Sequence, residues 1–520
     1  MGACSSKSAH PPSDDQLTRQ PTPHPAPLRA PPPRAPDRMS SAFVQRQASH
    51  LSLDGAPFRF ASLNAPELLD GDVNGKFEVD DSFETFAADG AFGGVPVTRT
   101  YTLRIKSKNI GRGHINGWNS SWNDWEWDSG RLAEMDYVLD SASRNGVRLI
   151  VPIINQDTGD DSNWVGSTAD LIKYRYGFRS TEEARQKVDW WTDPTMIESY
   201  KLIIDFLLNR KNSINGRRYG DDPTILAWET GNEMNHQGMR PAPASWTLTI
   251  AKHLKSRAPN TLVMDGSFAR NDDPERCYPK EVLESPDVDI ISYHYYGSGD
   301  IRRVKKDCEI ARRYQKVFIA GEYGFFESEK DYSTFLALID SAGGAGSLVW
   351  SFRPRSAKGG HKTHGEGNGI WSYHIPGWTD PNHGEFDPRE AAIVKSIRIA
   401  SFRLAASRKA PPHPAPRAPR DAPWVSSGGG GGGQGGQGTK VSFAGSPWAA
   451  KYEVVVRAAD GAGYEVKREC VDCTKEGEFV VDIGGEVSQC GGGGGGRTKV
   501  TVRAIGVDGH ASAESPELVL

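Results

Sequence analysis

Short apolar runs that alternate with helical segments constrain the fold of this chain more than any other feature. Between residues 42 and 408, eight runs rich in β-branched and aromatic residues are separated by amphipathic stretches. In residues 199–209, for example, Ile203, Phe206 and Leu207 keep the i, i+3, i+4 spacing of one buried helix face. The eight runs are residues 58–64, 94–101, 147–154, 224–230, 261–266, 288–294, 316–322 and 346–352. Eight strands with helices between them predict an α/β fold, a (β/α)₈ TIM barrel over residues 42–408.

The segments outside this barrel differ from it in composition. The chain has 57 glycines and 34 prolines in 520 residues, and many of them lie in local stretches at its ends. Residues 1–41 repeat Pro, Arg and Ser and predict a disordered N-terminal segment. Residues 409–438 are first proline-rich and then glycine-rich, which predicts a linker that is semi-rigid and then flexible.

A second domain is predicted over residues 439–520. Three short β-rich runs with partial alternation and no helical period occupy residues 451–457, 478–483 and 499–504. Such runs predict a small antiparallel β-sandwich. The module loosely resembles fibronectin type III domains through its strand spacing and through Trp448 and Tyr452. A wall-binding role and a protein-binding role are both compatible with that resemblance.

Charge and cysteine content narrow the choice of partners. The formal net charge is −4, and no basic stripe is present, so a nucleic-acid partner is not predicted. Six cysteines are too few and too scattered for a disulfide framework in so long a chain. Cys470-Val-Asp-Cys473 lacks two further ligands at zinc spacing, so a local disulfide or free thiols are expected there. The sequence predicts no metal and no other cofactor, and it specifies no oligomeric state.

The N-terminal residues bear on localisation. The first forty residues contain no apolar run of seven or more, so no secretory signal peptide is visible. Met1-Gly2-Ala-Cys4-Ser-Ser6 matches the pattern for myristoylation at Gly2, with Cys4 available for palmitoylation. Two acyl chains anchor a protein stably. Membrane association is therefore expected only if Gly2 and Cys4 are acylated.

Two glutamates follow strand-like runs at the points where these runs end. The fourth predicted strand leads into Asn232-Glu233, and the seventh ends at Glu322. The carboxyl ends of barrel strands meet at one rim, so both carboxylates are expected to converge there. A retaining glycosidase needs one carboxylic acid to protonate the leaving oxygen and one carboxylate to attack the anomeric carbon, about 5 to 5.5 Å apart. The pair therefore indicates hydrolysis of a glycosidic bond.

Three stretches of this barrel carry a specific resemblance. They are Arg210-Lys-Asn212 leading to Tyr219-Gly-Asp-Asp-Pro-Thr-Ile-Leu-Ala-Trp-Glu-Thr-Gly-Asn-Glu233, then His294-Tyr-Tyr296, then Glu322-Tyr-Gly324. Through them the chain resembles glycoside hydrolase family 5, in the large clan of retaining barrel enzymes, and most closely its endo-β-1,4-mannanases. The resemblance covers residues 42 to 405. It implies a mannan-type or related β-1,4-linked polysaccharide substrate, no cofactor, and action outside the cell.

The resemblance also implies a role for each matching residue. Glu233 is expected to be the general acid/base and Glu322 the nucleophile, while Asn232 would hydrogen-bond the sugar 2-hydroxyl. Arg99 would lie near the nucleophile and help to keep it ionised. His294, Tyr296 and Trp350 complete the substrate-binding set. The Tyr296 hydroxyl would hydrogen-bond the nucleophile, and Trp350 would form the aromatic platform beneath the cleaved sugar.

Two features depart from the family pattern. Met234 follows Glu233 where the family usually has proline, which bears on the shape of the loop. The mannanase Asn-Trp motif after the third strand is represented only by Asn163-Trp164 in an insertion, which bears on the substrate. Glu229, inside the fourth strand, is predicted to be a hydrogen-bonded structural group and not a third catalytic carboxylate.

Several aromatic and histidine residues are further candidates for the cleft. Polar residues interleave with four tryptophans after the second strand, so at least one is a candidate to stack on sugar. They are Trp118, Trp122, Trp125 and Trp127, and Trp190 and Trp191 are similar candidates with less support. His361 and His364 have no third metal ligand at usable spacing and are interpreted as exposed or substrate-contacting.

The sequence leaves other functions open beside a retaining endo-β-1,4-mannanase. A β-1,4-glucanase or a transglycosylase of the same family would carry the same catalytic groups. A carbohydrate-binding barrel without catalysis is disfavoured by the complete set of catalytic residues.

Overall fold

The computed structural model describes most of the chain but not all of it. The described residues are 40–155, 165–234, 241–266, 273–377, 384–406, 409–426, 439–458, 465–471, 476–477, 480–485, 487 and 497–520. The Asn163-Trp164 insertion, the Gly2 and Cys4 pattern, the glycine-rich part of the predicted linker, and Cys473 lie outside them.

Residues 45 to 406 contain fifteen strands and eleven α-helices among the described residues. The strands are β1 Gln45–Gln47, β2 His50–Leu53, β3 Ala56–Phe58, β4 Phe60–Leu63, β5 Val97–Arg99, β6 Ile115–Asn119, β7 Asp124–Trp127, β8 Arg148–Pro152, β9 Ile225–Glu229, β10 Leu262–Asp265, β11 Ile290–Tyr296, β12 Val317–Gly324, β13 Gly346–Val349, β14 Gly365–Gly367 and β15 Ile370–Trp371. The helices are α1 Lys76–Ala87, α2 Ser129–Asn145, α3 Thr168–Tyr176, α4 Thr181–Lys187, α5 Pro194–Asn209, α6 Ala244–Arg257, α7 Pro274–Cys277, α8 Lys280–Glu284, α9 Val304–Arg313, α10 Glu329–Ala342 and α11 Glu390–Ala406.

Eight parallel strands form the barrel. Their order around the sheet is β4-β13-β12-β11-β10-β9-β8-β5. The ring closes just beyond β4 and β5, where Asn64 and Arg99 form a parallel bridge and the amide of Ala65 donates to the Arg99 carbonyl over 2.9 Å. Each of the eight predicted runs overlaps one of these strands, and only β11 and β12 extend past their runs, by two residues each, so the TIM-barrel prediction is confirmed.

The amino ends of the barrel strands are covered, which leaves the carboxyl ends as the open rim. Val44, Leu51 and Phe58, from the segment that contains β1 to β3, pack with Val97 and Val317 at the amino ends of barrel strands. The outer faces of the strands are covered by helices such as α5, where Ile203 and Leu207 are fully buried, as their spacing predicts. The carboxyl ends of the strands are therefore where we expect a chemical site.

Two antiparallel sheets follow the barrel. Their strands are β16 Trp424–Val425, β17 Lys440–Ser442, β18 Lys451–Ala458, β19 Glu465–Val471, β20 Val480–Asp482, β21 Thr498–Ile505, β22 Ala511–Glu514 and β23 Leu518–Val519. One sheet has the order β16-β17-β20; the other has the order β19-β18-β21-β22, with β23 also paired to β21. Phe443, Val481, Tyr452, Val454 and Val502 share one apolar core. All three predicted β-rich runs overlap strands of these sheets; a fibronectin type III relationship stays a prediction.

The described part of the predicted linker makes specific contacts with other parts of the chain. Trp424–Val425 pairs with β17, and the guanidinium of Arg420 donates to Glu84 of α1 over 2.8 Å and lies 3.2 Å from Asp80. Residues 409–426 therefore pack as part of the fold, because their arginines and backbone carbonyls find partners on the barrel. The domain boundaries themselves remain a prediction.

Within the described residues, no helix is both long enough and apolar enough to cross a bilayer.

Candidate active site

The carboxylates of Glu233 and Glu322 meet at the open rim. Glu322 lies in β12, and Glu233 follows the end of β9 by four residues. Glu233 has φ of +49°, a left-handed conformation that non-glycine residues adopt rarely and often at functional sites. The amide of the next residue, Met234, donates to the Gly266 carbonyl over 3.3 Å. Proline could not make this bond, so the departure at Met234 has a local structural use.

Arg99 is the buried hub of the site. It lies at the end of β5 with no exposed side-chain surface. Its Nε and Nη2 atoms donate to the two oxygens of Glu229 over 2.7 and 3.0 Å, and its Nη1 donates to Glu322 Oε1 over 2.8 Å. Nη2 also donates to Asn232 Oδ1 over 2.6 Å. Glu229 is thus the paired structural carboxylate that its strand position suggests, since a buried guanidinium requires such a partner.

His294 lies between the two rim glutamates. Its Nδ1 is 2.7 Å from Glu233 Oε1 and 3.4 Å from Glu322 Oε2. One ligand-type atom from each of these three residues lies within 4.8 Å of the others. The register of β11 against β12 shifts between Tyr293 and His294, which places His294 opposite Glu322. A Cβ at Gly321 would stand 3.0 Å from His294 Nε2, so glycine makes room for the imidazole.

Burial and the hydrogen bond from Tyr296 shift the pKa of Glu322 in opposite directions. The Tyr296 hydroxyl donates to Glu322 Oε2, and the Glu322 side chain is only 4% exposed. Burial raises the pKa of Glu322 above that of an ordinary glutamate, while the charges of His294 and Arg99 and the Tyr296 hydrogen bond oppose this. The sequence predicts that Arg99 helps to keep Glu322 ionised, and the Arg99 charge acts in that direction. The larger effect of burial was not foreseen; it arises because the enclosure that brings Arg99 close also removes water from the carboxylate.

Asn232 is held by two residues that the sequence did not single out. Its Nδ2 donates to Asn155 Oδ1 over 2.9 Å and to the Tyr101 hydroxyl over 3.1 Å. The described parts of the rim thus orient both ends of this amide, with Arg99 on its oxygen. Asn155 follows β8 and Tyr101 follows β5, and the rule that strand ends carry the chemistry would have found both.

Trp350 lies beside the network at the end of the eighth strand. Its ring meets that of Tyr101 edge to face, with the centroids 5.7 Å apart. Its Nε1 donates to Glu366 Oε1 over 2.9 Å. Glu366 comes from β14, in the connection between β13 and α11, and no sequence motif indicates a role for it. The indole is therefore held by a carboxylate at its Nε1 and by ring contact with Tyr101.

Most of the other tryptophan candidates serve packing. Trp125, Trp190 and Trp191 are buried in the main apolar core, so the expectation that Trp190 and Trp191 could contact sugar is wrong. Trp127 stacks on Phe206 with the centroids 3.9 Å apart. Trp122 alone of the four after the second strand is largely exposed, at 74%.

The two histidines of the loop after β13 have different surroundings. His361 is buried, with its ring 4.7 Å from that of His374, which corrects the interpretation of it as exposed. His364 is about half exposed and lies 3.7 Å from Glu366. Neither takes part in the carboxylate cluster at the rim.

The chain matches known proteins over the region that holds the two glutamates. Residues 119–325 match the sequence model of a family described as GH family 5 beta-mannosidase-like. Mannan endo-1,4-beta-mannosidase F of Aspergillus fumigatus is 26% identical over 347 residues, which cover 60% of this chain and 71% of that protein. Mannan endo-1,4-beta-mannosidase 2 of Oryza sativa subsp. japonica is 30% identical over 203 residues, which cover 37% of this chain and 40% of that protein.

Solved structures share the fold. The endo-1,4-beta-mannanase from Rhizomucor miehei superposes with a TM-score of 0.54 at 23% identity, over 70% of this chain and 99% of that one. The endo-beta-1,4-mannanase from Thermotoga petrophila superposes with a TM-score of 0.50 at 17% identity, over 90% of this chain and 98% of that one. At these identities the structures support the barrel fold.

Proposed function

We propose that this chain, a mannanase-like glycoside hydrolase, cleaves internal β-1,4-mannosidic bonds of mannan-type polysaccharides by a retaining, two-step mechanism. The observation that carries the proposal is the closeness of Glu233 and Glu322, whose carboxylate oxygens approach within 4.8 Å. Retaining glycosidases hold their carboxyl groups about 5 to 5.5 Å apart, whereas inverting enzymes leave room for a water between them. The mannanase relatives support mannan as the substrate.

The surroundings of each carboxylate support the division of roles. The Glu233 side chain is 16% exposed and that of Glu322 only 4%. The acid/base must reach both the leaving oxygen and, later, a water, which suits the more accessible Glu233. The nucleophile must be held rigidly against the anomeric carbon, which suits Glu322 between Arg99 and Tyr296.

The first step forms a glycosyl-enzyme. A Glu322 oxygen attacks the anomeric carbon while Glu233 gives its proton to the departing glycosidic oxygen. In the second step Glu233 takes a proton from water, the water oxygen attacks the same carbon, and Glu322 leaves. Asn232, fixed by Arg99, Tyr101 and Asn155, is in place to bond the sugar 2-hydroxyl, and Trp350 to support the ring from below.

A substrate panel tests this function. The purified protein is incubated with linear mannan, glucomannan and β-1,4-glucan, and the products are sized and followed by NMR at the anomeric proton. We expect short manno-oligosaccharides, a fast fall in viscosity, and products released first as the β-anomer. Cleavage of the glucan alone would establish the glucanase alternative, and products longer than the substrate would establish transglycosylation. Binding without new reducing ends would show a non-catalytic barrel.

The acid limb of the pH profile is expected to lie above the pH at which an ordinary glutamate titrates. Glu322 must be ionised to attack, and burial raises its pKa. Tyr296→Phe removes a hydrogen bond that lowers this pKa, so the limb of kcat/KM should move to still higher pH. The profile is measured on a soluble manno-oligosaccharide, with Tyr174→Phe as the control, because the Tyr174 hydroxyl bonds only the Lys106 carbonyl among the described contacts. A limb that stays in place or moves down would contradict the role of Tyr296.

A further inference from the structure

The connection after the eighth barrel strand, residues 353–377 and called here the strand-eight loop, reaches from the cleft to the C-terminal sheets. Near its start a tight hairpin forms, in which Arg355 and His361 pair and the amide of Lys362 donates to the Pro354 carbonyl over 3.0 Å. A few residues later, Glu366 accepts the hydrogen bond from the indole of Trp350. The position of Trp350 therefore depends on where this loop is held.

Glu476, from the C-terminal region, binds this hairpin through an ion pair and a hydrogen bond. Both of its carboxylate oxygens lie 2.9 Å from Lys362 Nζ, and Oε1 also accepts from Ser356 Oγ over 3.0 Å. The neighbouring amide of Gly477 donates to the Gly359 carbonyl over 3.1 Å. Lys358 Nζ also lies 3.3 Å from Glu476 Oε1. One carboxylate thus offsets part of the positive charge of the two hairpin lysines, Lys358 and Lys362.

A second contact anchors the same region from the buried side. The Arg355 guanidinium donates to the carbonyls of Ile375 and Ala449 over 3.0 and 3.2 Å, and its amide donates to Asp81 of α1 over 2.9 Å. Beside Ala449, the indole of Trp448 is fully buried and donates to the Thr85 carbonyl of α1 over 2.9 Å. These contacts hold the strand-eight loop and the C-terminal sheets against α1 of the barrel.

We propose that Glu476 is a positioning residue for the sugar cleft: it holds the strand-eight loop where Glu366 can bind the Trp350 indole. The C-terminal sheets are then part of the cleft's support, and not only a module that binds elsewhere. The identity of the ligand, a β-1,4-mannan, rests on the proposed function, while the coupling between Glu476 and the loop does not. When the loop leaves this arrangement, the cleft binds sugar poorly. The apparent Kd then equals the Kd of the ordered cleft divided by the fraction of molecules in which the loop is in place.

Charge reversal tests the coupling in the full-length protein. In Glu476→Lys an additional lysine faces Lys358 and Lys362, and KM for manno-oligosaccharides should rise roughly three- to tenfold, as expected for the loss of a partly buried ion-pair network. The value of kcat should stay nearly unchanged, because saturating substrate draws the loop back. The double variant Glu476→Lys/Lys362→Glu restores an ion pair and should return KM towards the original value.

Glu469→Lys is the matched control. Glu469 is exposed and pairs only with Lys451 of the neighbouring strand among the described contacts, so its reversal should leave KM unchanged. Hydrogen–deuterium exchange of peptides from residues 353–377 gives a readout without substrate, and exchange should rise in Glu476→Lys and fall again in the double variant. Unchanged exchange in Glu476→Lys, or an equal rise in Glu469→Lys, would overturn the proposal. Inactivity of the unaltered protein on mannan, with exchange behaving as expected, would refute the substrate alone.

Discussion

Replacing Glu322 by glutamine is expected to lower kcat on mannan by roughly four orders of magnitude or more, the scale seen when a covalent nucleophile is removed. An amide of nearly the same shape fills the space but cannot form the glycosyl-enzyme. Arg99 stays paired with Glu229 and Asn232, so the barrel retains its buried network. The measurement is single-turnover and steady-state hydrolysis of a manno-oligosaccharide, with mass spectrometry for the covalent intermediate.

Two controls separate lost chemistry from lost structure. Glu327→Gln, a few residues further along and exposed, should retain full activity. The Glu322 pKa is raised in the folded state, so the stability that this group contributes is present at low pH and is lost as pH rises through that pKa. Glu322→Gln should therefore melt no lower than the unaltered protein at pH 7. Retained turnover, or a covalent intermediate on another residue, would rule out Glu322 as the nucleophile.

The barrel was predictable because its signal is local. Each of the eight strands is a short apolar run between turns, and α5 shows its buried face through Ile203 and Leu207. The positions of Glu233 and Glu322 follow from the same pattern, since parallel strands bring their carboxyl ends to one rim. The order of the runs along the sequence is therefore sufficient to assign Glu233 to the fourth strand and Glu322 to the seventh.

The parts that escaped prediction depend on contacts between distant segments. Trp448 donates to the Thr85 carbonyl across 363 residues, and no periodicity near either residue indicates this contact. Trp190 and Trp191 look like exposed sugar platforms among their polar neighbours, yet they are buried against Tyr200 and Trp246. Burial also decides the direction in which the Glu322 pKa moves. Sequence spacing gives the neighbours of Glu322 but not the amount of water that they exclude.

Replacing Glu233 by alanine is expected to separate the two chemical steps. On mannan, where the leaving sugar oxygen needs a proton, turnover should fall by about two to four orders of magnitude. An aryl mannoside with a strongly acidic phenol needs no proton to leave, so its first step should stay fast. Rapid-mixing absorbance should then show a burst of one equivalent of phenolate, followed by slow hydrolysis, because no base activates the water.

A nucleophile that needs no base provides the decisive comparison for Glu233→Ala. Azide can enter beside the trimmed side chain, attack the glycosyl-enzyme and speed the slow second step, and the product should be a β-configured glycosyl azide because two displacements retain the configuration. His294→Ala removes the imidazole 2.7 Å from Glu233 while leaving the carboxylate, so it should show no such rescue. If Glu233→Ala slows the aryl mannoside and mannan by the same factor, with no burst and no azide product, the proton donor lies elsewhere. A burst with azide rescue in Glu233→Ala alone would assign both proton transfers to this one residue.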